Sequence, residues 1–169
     1  MKSLKLYHGT NHINNPFQYA YAGLGNCQEG PGFYLTNTEN VAKGYGKYIL
    51  VVEAKYRKIV PQVGKPNTNQ LTSLIKKAPD LKITLEDYDE DPRVALNQAI
   101  KIYTTYYKNP SDAFQNVWAG FYRDHPGQYL RNMVDMGYDG AIAKFNNGII
   151  HFIAFDPRKL KVISRIETR

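Results

Sequence analysis

Tyr34 and Tyr45 stand eleven positions apart, on either side of a segment that can turn from strand to helix. Phe33–Thr36 is a short β-type run. Asn37 or Thr38 can cap a helix after it, Glu39 lies in the first turn, and Val41, Ala42 and Tyr45 recur at helical spacing. Gly30, Pro31 and Gly32 punctuate the chain just before. A turn of this shape can aim both phenol rings into one cleft, where they would sandwich a flat ligand; the alternative is that both rings pack in the core or at its rim. His8 ends another strand, Leu4–His8, in which LKLYH alternates apolar and polar residues before Gly9 and Thr10. A glycine at that point lets a ligand approach main-chain N–H and C=O groups directly, although a single histidine at a strand end can equally be structural. His151 lies among Phe152, Ile153 and Phe155 on a late strand. The four histidines, His8, His12, His125 and His151, show no HExxH or similar spacing, so no metal site is expected.

These residues need elements to hold them. Asn11–Gln28 is a long polar loop of the kind that often binds ligands. Tyr48–Val60, YILVVEAKYRKIV, is the strongest strand signal, and its Glu53 can pair with Lys55 or Arg57. Pro61–Asn69 reads as a loop, Gln70–Lys77 as a short helix ended by Pro79, and Leu81–Leu85 as a brief extended piece. Acidic residues at 86–91 then lead into Pro92, and helical spacing runs through Arg93–Tyr107, Ser111–Arg123 with Ser111 capping, and Gly127–Met136. The aromatics here (Tyr103, Tyr106, Tyr107, Phe114, Trp118, Phe121, Tyr122) read as the apolar face of a small bundle, the alternative being a set that stacks on bases. Ala141–Phe145 and Ile149–Phe155 form a hairpin through Asn146–Asn147–Gly148, and Leu160–Ile166 adds a last strand. The expectation is one α+β domain over 1–169, a split β-sheet core with an early helix and a helical insertion at about 86–136.

The chain has 169 residues and a net charge of +7. That balance suggests an acidic partner, nucleic acid, a nucleotide or an acidic protein, against the alternative of a merely soluble surface. One cysteine, Cys27, excludes an internal disulfide and fits a reducing compartment. Met1–Tyr7 runs into polar HGTNH rather than an apolar core segment, and no apolar run approaches membrane-spanning length. A cytoplasmic protein without membrane contact is expected.

Three separated pieces together resemble the ADP-ribosyltransferase superfamily, in its diphtheria-toxin and poly(ADP-ribose) polymerase branch with the H-Y-E signature. They are LYHGT at 6–10, GPGFYLT with AxxY at 30–45, and GYDGAIA with IIHFIAFDPRKLK at 137–161. The resemblance covers roughly the first sixty and last thirty-five residues. It implies that NAD⁺ is the substrate. His8 would hydrogen-bond the adenosine ribose, Gly9 would hold the nicotinamide carboxamide through its backbone, and Thr10 lies beside the pocket. Tyr34 and Tyr45 would sandwich the nicotinamide ring, a planar cation suited to aromatic faces. Cleavage of the N-glycosidic bond would pass ADP-ribose to a nucleophile.

One position departs from the pattern. The family's glutamate sits four residues before the Phe of the closing FDP strand, and His151 stands there. Neutral imidazole can make the hydrogen bond to the ribose but does not supply the charge, and losing one such electrostatic contact costs roughly 3 kcal/mol, about 10² to 10³ in rate. Either His151 works in place of the acid, or Asp139 or Glu53 serves; the register favours His151, and the departure argues against chain elongation. The resemblance thus implies a mono-ADP-ribosyltransferase modifying nucleic acid or protein; by analogy it is expected to be a bacterial or phage toxin or effector, with an antitoxin as a candidate partner that the sequence does not identify. A catalytically silent NAD- or nucleic-acid-binding module is the rival reading. An RNA 2′-phosphotransferase-like enzyme fits less well, because that branch favours a second histidine where Tyr34 stands.

Overall fold

Strands β1 (Lys2–Thr10) and β3 (Tyr48–Tyr56) form the longest ladder of the computed structural model, which describes residues 1–22 and 29–167. They pair antiparallel from Lys2↔Tyr56 to Thr10↔Tyr48, and β7 (Leu160–Glu167) adds to the outer edge of β3. On its other side β1 meets β2 (Phe33–Thr36) at a single register pair, Tyr7↔Thr36. Strand β2 then runs alongside β6 (Ile150–Ala154) from Phe33↔Ala154 to Thr36↔His151. Strand β5 (Gly140–Lys144) pairs antiparallel with β6, and the two-residue β4 (Ile59–Val60) pairs parallel with β5. The order is β4-β5-β6-β2-β1-β3-β7. The sheet thus has a four-stranded and a three-stranded half joined at Tyr7↔Thr36, and the α+β class and split core are as expected from the sequence.

The short helix α1 (Glu39–Lys43) connects β2 to β3 and lies tightly on the end of β1. A Cβ on Gly9 would sit 1.9 Å from the Ala42 carbonyl oxygen, so only glycine lets the helix come this close. Five more helices lie between β4 and β5: α2 (Thr68–Lys76), α3 (Leu81–Leu85), α4 (Pro92–Thr105), α5 (Pro110–Phe121) and α6 (Pro126–Asp135). Asn67, Asp91 and Asn109 cap α2, α4 and α5 by accepting from the N–H groups of Gln70, Arg93 and Asp112. Leu71, Leu74, Ile75, Val117, Leu130 and Met133 are fully buried between them. Inside this layer the Tyr122 hydroxyl donates to the Leu74 carbonyl and accepts from the Asn132 amide at 3.0 Å. Burial pushes the Tyr122 phenol up to about 12. Phe114, Phe121 and Tyr122 are core residues, as a bundle face requires, whereas Tyr106 is 77 % exposed. Among the described residues no helix is long and apolar enough to cross a membrane.

Four local expectations are corrected. Tyr48–Val60 is two strands, because the chain turns at Arg57–Lys58 and carries β4 to the opposite edge of the sheet. The buried Asp139 fixes that turn: its carboxylate accepts the N–H groups of Arg57 and Lys58 and a hydrogen bond from the Lys159 ammonium. Leu81–Leu85 is helical, with the Thr84 N–H bonded to the Asp80 carbonyl at 3.0 Å and Leu85 buried. Asn109, with Pro110 at the first helical position, caps α5; the Ser111 hydroxyl instead donates to the Pro61 carbonyl at 3.2 Å. The helical layer also begins earlier than 86, at Thr68, since α2 packs against α4 and α5.

Candidate functional site

Past Tyr7↔Thr36 strands β1 and β2 diverge, and a side chain takes over from the backbone ladder. His8 Nδ1 donates to the Tyr34 carbonyl oxygen at 2.8 Å. A carbonyl only accepts, so the neutral ring carries its proton on Nδ1 and leaves a lone pair on Nε2. The Phe17 ring packs against the imidazole, centroids 5.0 Å apart. Burial holds His8 below its ordinary 6.5, outweighing the upward effect of the Tyr34 hydrogen bond. The unfolded chain therefore binds a proton below pH 6.5 that the folded chain resists. Stability from this group is complete above that value and falls as the pH drops beneath it toward the folded value. Urea midpoints measured down from neutral pH should show this loss, and His8→Gln should lack that component of the slope.

Tyr34 follows on β2. Its hydroxyl donates to the Gly30 carbonyl at 2.6 Å and accepts from the Glu29 N–H at 3.2 Å, so the phenol pins the Glu29–Gly30 backbone. Gly30 has φ +94°, a left-handed conformation that favours glycine. Tyr45 lies just past the end of α1, and its Cβ would be 3.0 Å from a Cβ on Gly9. Its ring is 67 % exposed, an aromatic face open at the end of β1. Tyr45 therefore flanks β1 while Tyr34 stands across the gap on β2. The Thr10 hydroxyl, expected beside the pocket, accepts from the His12 N–H at 3.0 Å.

His151 sits on β6 directly opposite Thr36 of β2. Tyr34 meets it edge-on at 6.3 Å and Phe145 at 4.9 Å between ring centroids. The imidazole Nδ1 is buried without a hydrogen bond, and the Glu29 carboxylate lies 3.7 Å away. The register places His8, Tyr34 and His151 on the three adjacent strands β1, β2 and β6.

Neither acid considered from the sequence is near. Asp139 precedes β5, and its carbonyl accepts from Phe155, just past β6 and four residues from His151, a span of about 13 Å at strand spacing. Burial raises its carboxyl, but the Lys159 hydrogen bond and the Arg57 and Lys58 N–H groups outweigh that and hold it below the usual carboxylate range. Asp139 is an architectural anion. Glu53 lies on β3, three strands from β6 and so on the order of 14 Å away, where it accepts from Ser3 Oγ at 3.0 Å. Glu29 and Phe17 are the neighbours that sequence reading missed. Glu29 is the first residue before the Gly-Pro-Gly turn, but nothing local couples it to a strand near the other end of the chain.

A separate cavity of about 100 Å³ lies between β4–β6 and α5, bordered by Glu29, Gly30, Gln62, Ser111 and Phe114. None of His8, Tyr34, Tyr45 or His151 lines it. Among the described residues no group of three or more His, Cys, Asp or Glu side chains is arranged to hold a metal ion.

A family model described as "ADP-Ribosyltransferase in polyvalent proteins" matches residues 2–167, from the first strand through the last. No match is found among curated proteins or among solved structures. With the split sheet and the match agreeing over nearly the whole chain, the protein belongs to the ADP-ribosyltransferases of polyvalent proteins.

Proposed function

We propose that this ADP-ribosyltransferase cleaves NAD⁺ and passes the ADP-ribose to a macromolecular acceptor. The observation that carries the reading is the meeting of His8, Tyr34 and His151 on three neighbouring strands, at the point where the sheet opens. In this reading the lone pair on His8 Nε2 accepts from a hydroxyl of the adenosine ribose. The backbone of Gly9 holds the carboxamide, and the faces of Tyr34 and Tyr45 take the nicotinamide ring. His151 receives the hydrogen bond of the ribose 2′-hydroxyl beside the scissile bond.

The reaction breaks the bond between ribose C1′ and the nicotinamide nitrogen. The bonding pair returns to that nitrogen and neutralises the pyridinium. C1′, left with oxocarbenium character, is captured by a lone pair of the acceptor, which releases its proton. The surplus of 22 Lys and Arg over 15 Asp and Glu suits an acidic acceptor, with RNA or DNA the leading one and protein the other.

Nicotinamide release from NAD⁺, measured with and without added RNA or DNA, tests this. The expected result is slow release into water that accelerates with nucleic acid, with label from the adenylate half appearing in nuclease-sensitive material. A histidine at the glutamate position supports one rival, a silent NAD-binding module. That rival gains if NAD⁺ binds measurably but no nicotinamide is released under any condition.

A further inference from the structure

His151 is buried at Nδ1 with no hydrogen bond, yet the atom nearest in charge and chemistry is a carboxylate oxygen of Glu29 at 3.7 Å. Both side chains are largely enclosed, 16 % and 22 % exposed, so this is not one of the solvated surface pairs that contribute little. Glu29 is also held in place. Its N–H is bonded by the Tyr34 hydroxyl, which in turn donates to the next carbonyl, Gly30. The strand that carries Tyr34 is the one that pairs with the strand of His151. Phe145 packs on the other side of the imidazole. Tyr34 thus fixes the backbone that carries the acid and flanks the base at once.

We propose that Glu29 is the positioning residue of His151, and that carboxylate and imidazole together replace the single glutamate usual at this place. The inference rests on the functional reading above. The carboxylate accepts the proton on Nδ1, which fixes the tautomer and leaves the Nε2 lone pair for the ribose 2′-hydroxyl. It also supplies, through the ring, the negative charge that a neutral imidazole lacks. An acid that orients a histidine from behind is an established way to set tautomer and basicity. The 3.7 Å separation is longer than a hydrogen bond; in unliganded sites such contacts are commonly loose and tighten when substrate binds. Neither side chain is covalently altered. With water as acceptor, NAD⁺ and H₂O give nicotinamide, ADP-ribose and one proton released to solvent, and the pair acts only on the charge and hydroxyl of the ribose.

Glu29→Gln keeps shape and removes charge, so it tests the idea directly. Its kcat for nicotinamide release should fall about 10- to 100-fold with KM little changed and thermal melting preserved. Glu29→Asp should recover part of the loss. In a His151→Glu background, where a carboxylate reaches the ribose unaided, Glu29→Gln should cost nothing or raise the rate by removing a like charge. A loss of the same size in both backgrounds would mean that Glu29 is merely structural and would overturn the proposal, as would a wild-type kcat in Glu29→Gln alone. Ring ¹⁵N shifts of histidine-labelled protein supply a readout that needs no turnover. The neutral His151 ring should be the Nδ1–H tautomer in the wild type and lose that preference in Glu29→Gln. If the wild type releases no nicotinamide, the functional reading fails, while the tautomer still decides the Glu29–His151 pairing: an Nε2–H ring in the wild type overturns it.

Discussion

His151→Ala should lower the rate of nicotinamide release by about 10² to 10³, the usual result of removing one preorganised electrostatic contact to a transition state. The substitution takes away the group assigned to the ribose 2′-hydroxyl and cuts the link through which Glu29 acts. Both effects grow as positive charge develops at C1′, so the loss belongs in kcat more than in KM. Folding should survive, because the strand keeps its pairing with Thr36 and Ala143 and the imidazole has no hydrogen bond to lose at Nδ1. Steady-state kinetics beside a thermal melt checks this. An unchanged rate would remove His151 from the chemistry; Asp139 would not inherit the role, since its carboxylate is occupied by Lys159 and two backbone N–H groups.

Tyr34→Ala should abolish turnover altogether, a loss greater than that at His151. In the proposed reading the side chain has two separable tasks: its ring is one wall for the nicotinamide, and its hydroxyl holds the backbone on either side of the Glu29–Gly30 peptide. A third contact belongs to the backbone and survives substitution, since the oxygen that His8 Nδ1 meets is the Tyr34 carbonyl. His8 should therefore keep its tautomer in the variant. Losing a half-buried aromatic side chain with two hydrogen bonds costs about 2–4 kcal/mol, enough to lower the melting temperature without preventing folding. Tyr34→Phe separates the tasks. It keeps the wall and should bind NAD⁺ with near wild-type affinity, while kcat falls about tenfold because Glu29 is no longer fixed. Calorimetric NAD⁺ binding on both variants, set against their turnover, distinguishes the two contributions. Wild-type turnover in Tyr34→Ala would remove the aromatic wall from the mechanism.

The hairpin at Asn147–Gly148 was legible because its requirement is local: Gly148 takes φ +81°, and Phe145 and Ile149 close the turn with a 2.9 Å bond. The same holds for β1, where alternation alone identifies the strand that carries His8. The division of 48–60 into β3 and β4 was hidden because both pieces are β-branched and apolar. What separates them is a carboxylate on Asp139, far along the chain. Leu81–Leu85 had too few residues for periodicity to decide, and the burial of Leu85 under its neighbours settled it. The cap of α5 could have been read from Asn109–Pro110, a stronger start signal than Ser111. Motif order singled out His8, Tyr34, Tyr45 and His151, of which His8, Tyr34 and His151 stand on adjacent strands. Glu29 was not, because its place beside His151 comes from the pairing of β2 with β6 and from the reach of one phenol.

The single backbone pair at Tyr7↔Thr36 has a mechanical consequence. One half-sheet carries His8 and Gly9, with Tyr45 close against Gly9; the other carries Tyr34 and His151. A dinucleotide gripped from both sides would act as a keystone, substituting its own bonds for the rungs that the diverging strands lack. Cargo and framework would then stiffen as one body, and the emptied molecule would be left with a built-in line of weakness along the gap between its two half-sheets.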